Sequence, residues 1–121
     1  MTRFVQMLAA AAVALGAALP VPASASTFVA WEVADVAWGD TLNVRKYPAG
    51  TSQKRGAYPN GTVLSMTGKC TGGVNLHDIG GLSRKAQRAR VRNKWCQVWH
   101  DPKQSGAYEL GWVYGRYIRP D

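Results

Sequence analysis

The chain has 121 residues, a formal net charge of +8 and only two cysteines. That length leaves room for one small domain with a modest core, for which a covalent staple matters. The basic balance favours anionic partners over cationic ones.

The first residues read as an export signal. Arg3 precedes an almost unbroken apolar run from Phe4 to Leu19, and Ala23-Ser24-Ala25 forms a small-x-small cleavage site ahead of Ser26. This predicts a signal peptide over 1–25 and a mature domain over 26–121. The apolar run is short of the roughly 20 residues of a spanning helix, and Pro20 and Pro22 interrupt it, so no stable membrane anchor is expected. No cysteine stands at Ser26 to carry a lipid, and the predicted location is periplasmic or secreted. Arg3 is the one charged residue of the signal, so +7 of the charge belongs to the domain. Cell-wall polymer, lipopolysaccharide, a membrane surface or nucleic acid all suit that charge, as does solubility alone.

In chain order, Ser26–Trp38 alternates loosely and predicts a first strand, turned by Gly39-Asp40. Thr41–Arg45 is a short second strand. A loop with Pro48 and Gly50 follows, then a weak strand over Gln53–Tyr58 and a tight turn at Pro59-Asn60-Gly61. Thr62–Thr67 is a strand that leads to Cys70. The glycine pairs 72–73 and 80–81 then change the pattern. Ser83 is placed to cap a helix over Arg84–Arg92. Propensity favours that helix, whereas its short length, the Arg84, Arg88 and Arg92 spacing, and Arg84 and Lys85 at the positive end of the dipole oppose it. It is expected to form only if its ends are held and if Leu82, Ala86 and Ala89 rest on the sheet.

Trp95–His100, rich in aromatic and β-branched residues, is a strand carrying Cys96. A turn over Asp101–Gly106, a strand over Tyr108–Tyr114 and a one-turn 3₁₀ element over Gly115–Ile118 complete the chain. In an exported chain two cysteines usually pair, so Cys70 and Cys96 are expected to form a disulfide at the foot of the loop between them. Two free buried thiols are the alternative; a redox pair is disfavoured because the spacing is far from C-x-x-C. Short strands between Gly and Pro turns predict an all-β fold, a small barrel with one helical excursion.

Leu42-Asn43-Val44-Arg45 with Pro48, Gly56 with Pro59-x-Gly61-Thr62, Trp95-x-x-Val98, Gly111-Trp112-Val113 and Tyr117-Ile118 occur in that order. From about Val33 to Ile118, the chain resembles a bacterial SH3 (SH3b) domain. The resemblance implies an SH3-like barrel of five to six strands. It also implies a non-catalytic role: binding peptidoglycan or another cell-envelope ligand, with no cofactor, no metal and no nucleic acid. The chain departs from the family pattern by an insertion over 71–94, and no catalytic domain accompanies the barrel. Partners are then a cell-wall polymer or an envelope protein, with an anionic polysaccharide as a further possibility. The alternative function is a secreted protein-interaction module, facing a host or a partner, that docks through the basic insertion.

Three sets of residues are candidates for chemistry. Tyr47, Tyr58, Trp95, Trp112, Tyr114 and Tyr117 flank loops or strand ends and form a candidate ligand groove for sugar rings or an extended peptide, though each also serves as packing. Arg84, Lys85, Arg88 and Arg92 form a candidate anion-binding stripe within a tract of six cations in eleven residues, the alternative being a solvated helix face. His77-Asp78 and His100-Asp101 are too few and too dispersed for a metal site. A nuclease would need the two histidines together, and nothing in the sequence joins them. Arg45 is expected to lie across Trp112 and reach a backbone carbonyl, with Val98 and Val113 facing inward.

Overall fold

A computed structural model describes residues 28–121. The signal peptide predicted over 1–25, and Ser26 and Thr27 of the first strand, lie outside the described residues. The order is β1 (Val29–Val33), β2 (Leu42–Arg45), β3 (Lys54–Tyr58), β4 (Val63–Cys70), α1 (Arg84–Val91), β5 (Trp95–His100), β6 (Glu109–Tyr114) and β7 (Ile118–Pro120). The seven strands form one antiparallel sheet in the order β3-β2-β6-β5-β4-β1-β7, with β3 and β7 at its edges. The fold is thus mostly β, with one helix.

Alternation drives the burial. In β4 Leu64, Met66 and Cys70 turn inward; in β5 Cys96, Val98 and His100; in β6 Gly111 and Val113. Such period-two burial places one face of each strand in a common core. Trp31, Val33, Leu42, Val44, Met66, Val98, Val113 and Ile118 belong to one cluster, so Val98 and Val113 face inward as expected. Gly111 leaves the space in which Val44 and His100 lie: a Cβ there would come within 2.3 Å of Val44 Cγ1.

Three elements differ from the sequence reading. The sheet has seven strands rather than five or six, because Ile118–Pro120 pairs with β1 instead of trailing off as a terminus. Pro120 is compatible with this because β7 is an edge strand. Next, β4 runs on to Cys70 instead of ending at Thr67. Gly68, at φ 103°, carries the chain through an irregularity in the β4–β5 register, a conformation that favours glycine. Finally, α1 does not rest on Leu82, Ala86 and Ala89. Leu82 and Ala89 are exposed and Ala86 is half-buried, whereas Val91 is fully buried. The helix therefore docks by its C-terminal end.

The segment between β4 and β5, residues 71–94, is held at both ends. Cys70 and Cys96 lie opposite each other in the β4–β5 ladder and are joined as a disulfide. Leu76, Ile79 and Val91, all from this segment, join the main core cluster. Ser83 caps α1 by accepting the Ala86 N–H. At the other end, the Lys94 N–H donates to the Val91 carbonyl, and Gly115 N–H donates to Lys94 at 2.7 Å. Thr71 Oγ1 accepts the Trp95 N–H at 2.9 Å.

Candidate functional site

Beside the end of β6 the loop after β1, the start of β2 and the 3₁₀ turn at Gly115–Tyr117 enclose a groove of about 410 Å³. That volume falls within the range of small-ligand clefts. Trp95 and Tyr114 are cross-strand neighbours on the outer face of β5 and β6, and their rings stand 5.2 Å apart. Tyr117, from the 3₁₀ turn, stands 6.4 Å beyond Tyr114. All three residues are half-buried, and the Arg116 guanidinium stands 5.9 Å from the Tyr117 ring centre. Asp40, Asn43 and Arg45 add polar groups to the groove wall.

The loop that makes this wall is firmly placed. Asn60, in the turn before β4, both accepts from the Val36 N–H and donates to the Val36 carbonyl. The Ala34 N–H donates to Tyr117 at 2.8 Å. Arg45 Nη1 donates to the Ser52 carbonyl at 2.8 Å, and Arg45 faces Trp112 in the β2–β6 ladder, as its sequence position suggested.

Of the six aromatic groove candidates, the structure brings Trp95, Tyr114 and Tyr117 together. Tyr47 is exposed on the β2–β3 loop with the Lys46 ammonium 5.4 Å from its ring centre, and it does not line the groove, although Gly50 of the same loop does. Trp112 is half-buried between the Arg45 and Gln97 rows and does not line the groove. Tyr58 faces a different cleft, where its hydroxyl meets His100. Val36, Ala37, Asp40 and Asn43 escape a sequence reading because only the fold puts this loop beside β6. A second aromatic face, formed by Phe28, Trp99 and Tyr108, was also not legible. The alternation of Trp95, Gln97 and Trp99 was the available signal, since it places all three on the outer face of β5.

The two histidines have separate partners. His77 packs on Gly68, and its Nε2 lies 3.3 Å from the Thr67 carbonyl. His100 is buried between Gly56 and Gly111, with Nδ1 3.0 Å from the Tyr58 hydroxyl and Nε2 3.9 Å from Glu109. Asp101 instead caps its own turn, accepting from Ser105 and Gly106, and these backbone donors hold its carboxyl below the usual range. Among the described residues, no group of three or more His, Cys, Asp and Glu side chains is placed to hold a metal, and no helix is long and apolar enough to cross a membrane.

His100 makes stability depend on pH. Burial pushes its imidazole below its ordinary value, Glu109 and Asp101 oppose that shift, and Arg55 adds to it. Burial, with help from Asp101 and Glu109, pushes the Tyr58 phenol up, so it remains a donor. A folded value below the unfolded one contributes stability above about pH 6.5, lost as the pH falls through the folded value. We expect the thermal midpoint to drop between about pH 7 and pH 5, and the slope to flatten in His100→Phe, as read by calorimetry. An equal slope in both proteins would assign the dependence elsewhere.

No protein-family model matches this chain, and neither a curated protein nor a solved structure matches it.

Proposed function

We propose that this chain is an exported, non-catalytic binding module of the SH3b type that holds peptidoglycan or another cell-envelope ligand in the groove of Trp95, Tyr114 and Tyr117. The observation that carries the proposal is the convergence of these three rings, from β5, β6 and the 3₁₀ turn, in one groove with Asp40, Asn43 and Arg45. Aromatic faces stack on sugar rings, and the polar wall suits hydroxyls and the amides of a peptide stem.

Two features favour the SH3-like barrel within the mostly-β fold. All of β1, β2, β4, β5, β6 and β7 feed one core cluster, which a single sheet achieves by curling over itself. His100 on β5 also reaches Gly56 on β3, although β6 and β2 lie between them in the sheet order. The disulfide is compatible with an oxidising compartment outside the cytoplasm, in keeping with export directed by residues 1–25.

A protein-interaction role is the second reading. Trp38, at the tip of the β1–β2 loop, is 99% exposed beside the groove, and exposed tryptophans are common anchors of protein interfaces. Co-sedimentation with purified sacculi separates the two. Envelope binding predicts that the protein pellets with sacculi and that Trp95→Ala or Tyr114→Ala weakens this by at least about tenfold. Failure of the unaltered protein to pellet would favour the protein partner.

A further inference from the structure

A second cleft of about 540 Å³ lies on the other side of the β1–β2 loop, lined by Arg84, Lys85, Arg88, Arg92 and Arg119 around one carboxylate, Asp35. The basic stripe read from the sequence is thus joined by an arginine from β7. Asp35 follows Ala34, which is tied to Tyr117, and stands in the left-handed region at φ 61°. From there its carboxylate pairs with Arg88. That hydrogen bond, aided by the charges of Arg88, Arg119 and Arg116, holds the Asp35 carboxyl below its ordinary value.

The other cations are differently engaged. Arg84 donates to the Pro120 carbonyl, a neutral partner that orients the guanidinium and leaves its charge uncompensated. Arg119 donates to Glu32 at 3.1 Å. Lys85 and Arg92 form no ion pair among the described residues. Five cations around one carboxylate, with Arg84 held in place by a neutral carbonyl and Lys85 and Arg92 outside any ion pair, suit a phosphate, whose oxygens satisfy more than one fork at once, better than a single carboxylate.

We propose that this cleft binds the phosphate groups of an anionic glycan, and that Asp35 occupies it as an internal stand-in that the ligand displaces. The glycan half of the proposal rests on the groove reading above; the phosphate half does not. Neighbouring residues of the chain line the two clefts, which supports a single polymer. Asp35 faces the basic cleft while Val36 and Ala37 face the groove, and Arg119 and Tyr117 divide in the same way. A chain crossing the β1–β2 loop would stack a sugar on the aromatic side and set a charged substituent on the basic side.

Calorimetric titration with phosphomannan, and with uncharged mannan as its neutral counterpart, tests this. Phosphomannan is expected to bind at least about tenfold more tightly, with most of the difference lost between about 0.05 and 0.5 M salt. Arg84→Gln combined with Arg88→Gln is expected to weaken it by roughly tenfold or more. Asp35→Asn keeps the side-chain shape and tolerates the left-handed backbone, and is expected to tighten phosphomannan binding about threefold to tenfold. Lys85→Gln, which removes no ion pair of the described residues, is expected to weaken it about twofold to threefold. Equal affinity for the two mannans would overturn the phosphate site. An Asp35→Asn protein that binds no more tightly would overturn the stand-in role. Inorganic phosphate should perturb the arginine side-chain NMR signals of α1 equally in the unaltered protein and in Trp95→Ala. An unaltered protein that shows this response but does not pellet with sacculi would sink the groove alone; one that pellets but shows no response would sink the basic cleft alone.

Discussion

Replacing Cys70 and Cys96 together by alanine is expected to lower stability by about 2–5 kcal/mol, read as a fall in the urea midpoint against the oxidised protein. The bridge spans a sequence separation of 26. On the chain-entropy model, closing a loop of that length stabilises the fold by roughly 3–4 kcal/mol. The consequences extend past entropy, because both cysteines are buried in the same core cluster as Leu76, Ile79 and Val91. These three residues fix the segment 71–94 to the core, and α1 and its C-cap carry the cations of the basic cleft other than Arg119. Amide exchange in α1 should therefore accelerate more than exchange in β5 or β6. An unchanged urea midpoint would show that packing alone holds this segment.

Gly115→Ala is expected to cost about 3 kcal/mol, toward the upper end of the range for overpacking a close contact. A Cβ at Gly115 would lie 1.8 Å from the Val91 carbonyl oxygen and 2.9 Å from that of Lys94. Both obstructions are backbone, so no side-chain rotation relieves them. The helix end has to move off the 3₁₀ turn, breaking the Gly115–Lys94 hydrogen bond. The same turn presents Tyr117 to the groove, so weaker ligand binding should accompany the lost stability. Thermal unfolding of Gly115→Ala checks this, and a midpoint within about 1 °C of the unaltered protein would contradict the close approach.

The particular elements explain what a sequence reader can and cannot see. The strands were legible where Gly and Pro punctuate aromatic and β-branched runs, as at Trp95–His100 and Thr41–Arg45. The last strand was hidden because Arg119-Pro120 looks like a chain end, and only pairing with β1 makes it a strand. Helix α1 was legible from propensity and from the Ser83 cap, but its docking was not. Leu82 and Ala89 form the apparent apolar face, yet the contact that matters is backbone against Gly115.

The same limit applies to the candidate sites. Charge density announced the basic stripe, but its carboxylate partner stands 53 residues away and carries no local signal. The aromatic load announced a groove without saying which rings converge. Tyr47 and Tyr58 are as aromatic as Tyr114, and only the sheet order and the path of the β1–β2 loop separate them.

The most direct test of envelope binding is a nuclear magnetic resonance titration of the isotope-labelled protein with soluble peptidoglycan fragments. The groove assignment predicts saturable shifts at the Trp95 indole, the Asn43 amide and the Tyr114 and Tyr117 rings, with the His77 signals unmoved. Shifts confined to the Phe28, Trp99 and Tyr108 face, or none at fragment concentrations that saturate sacculus binding, would contradict it.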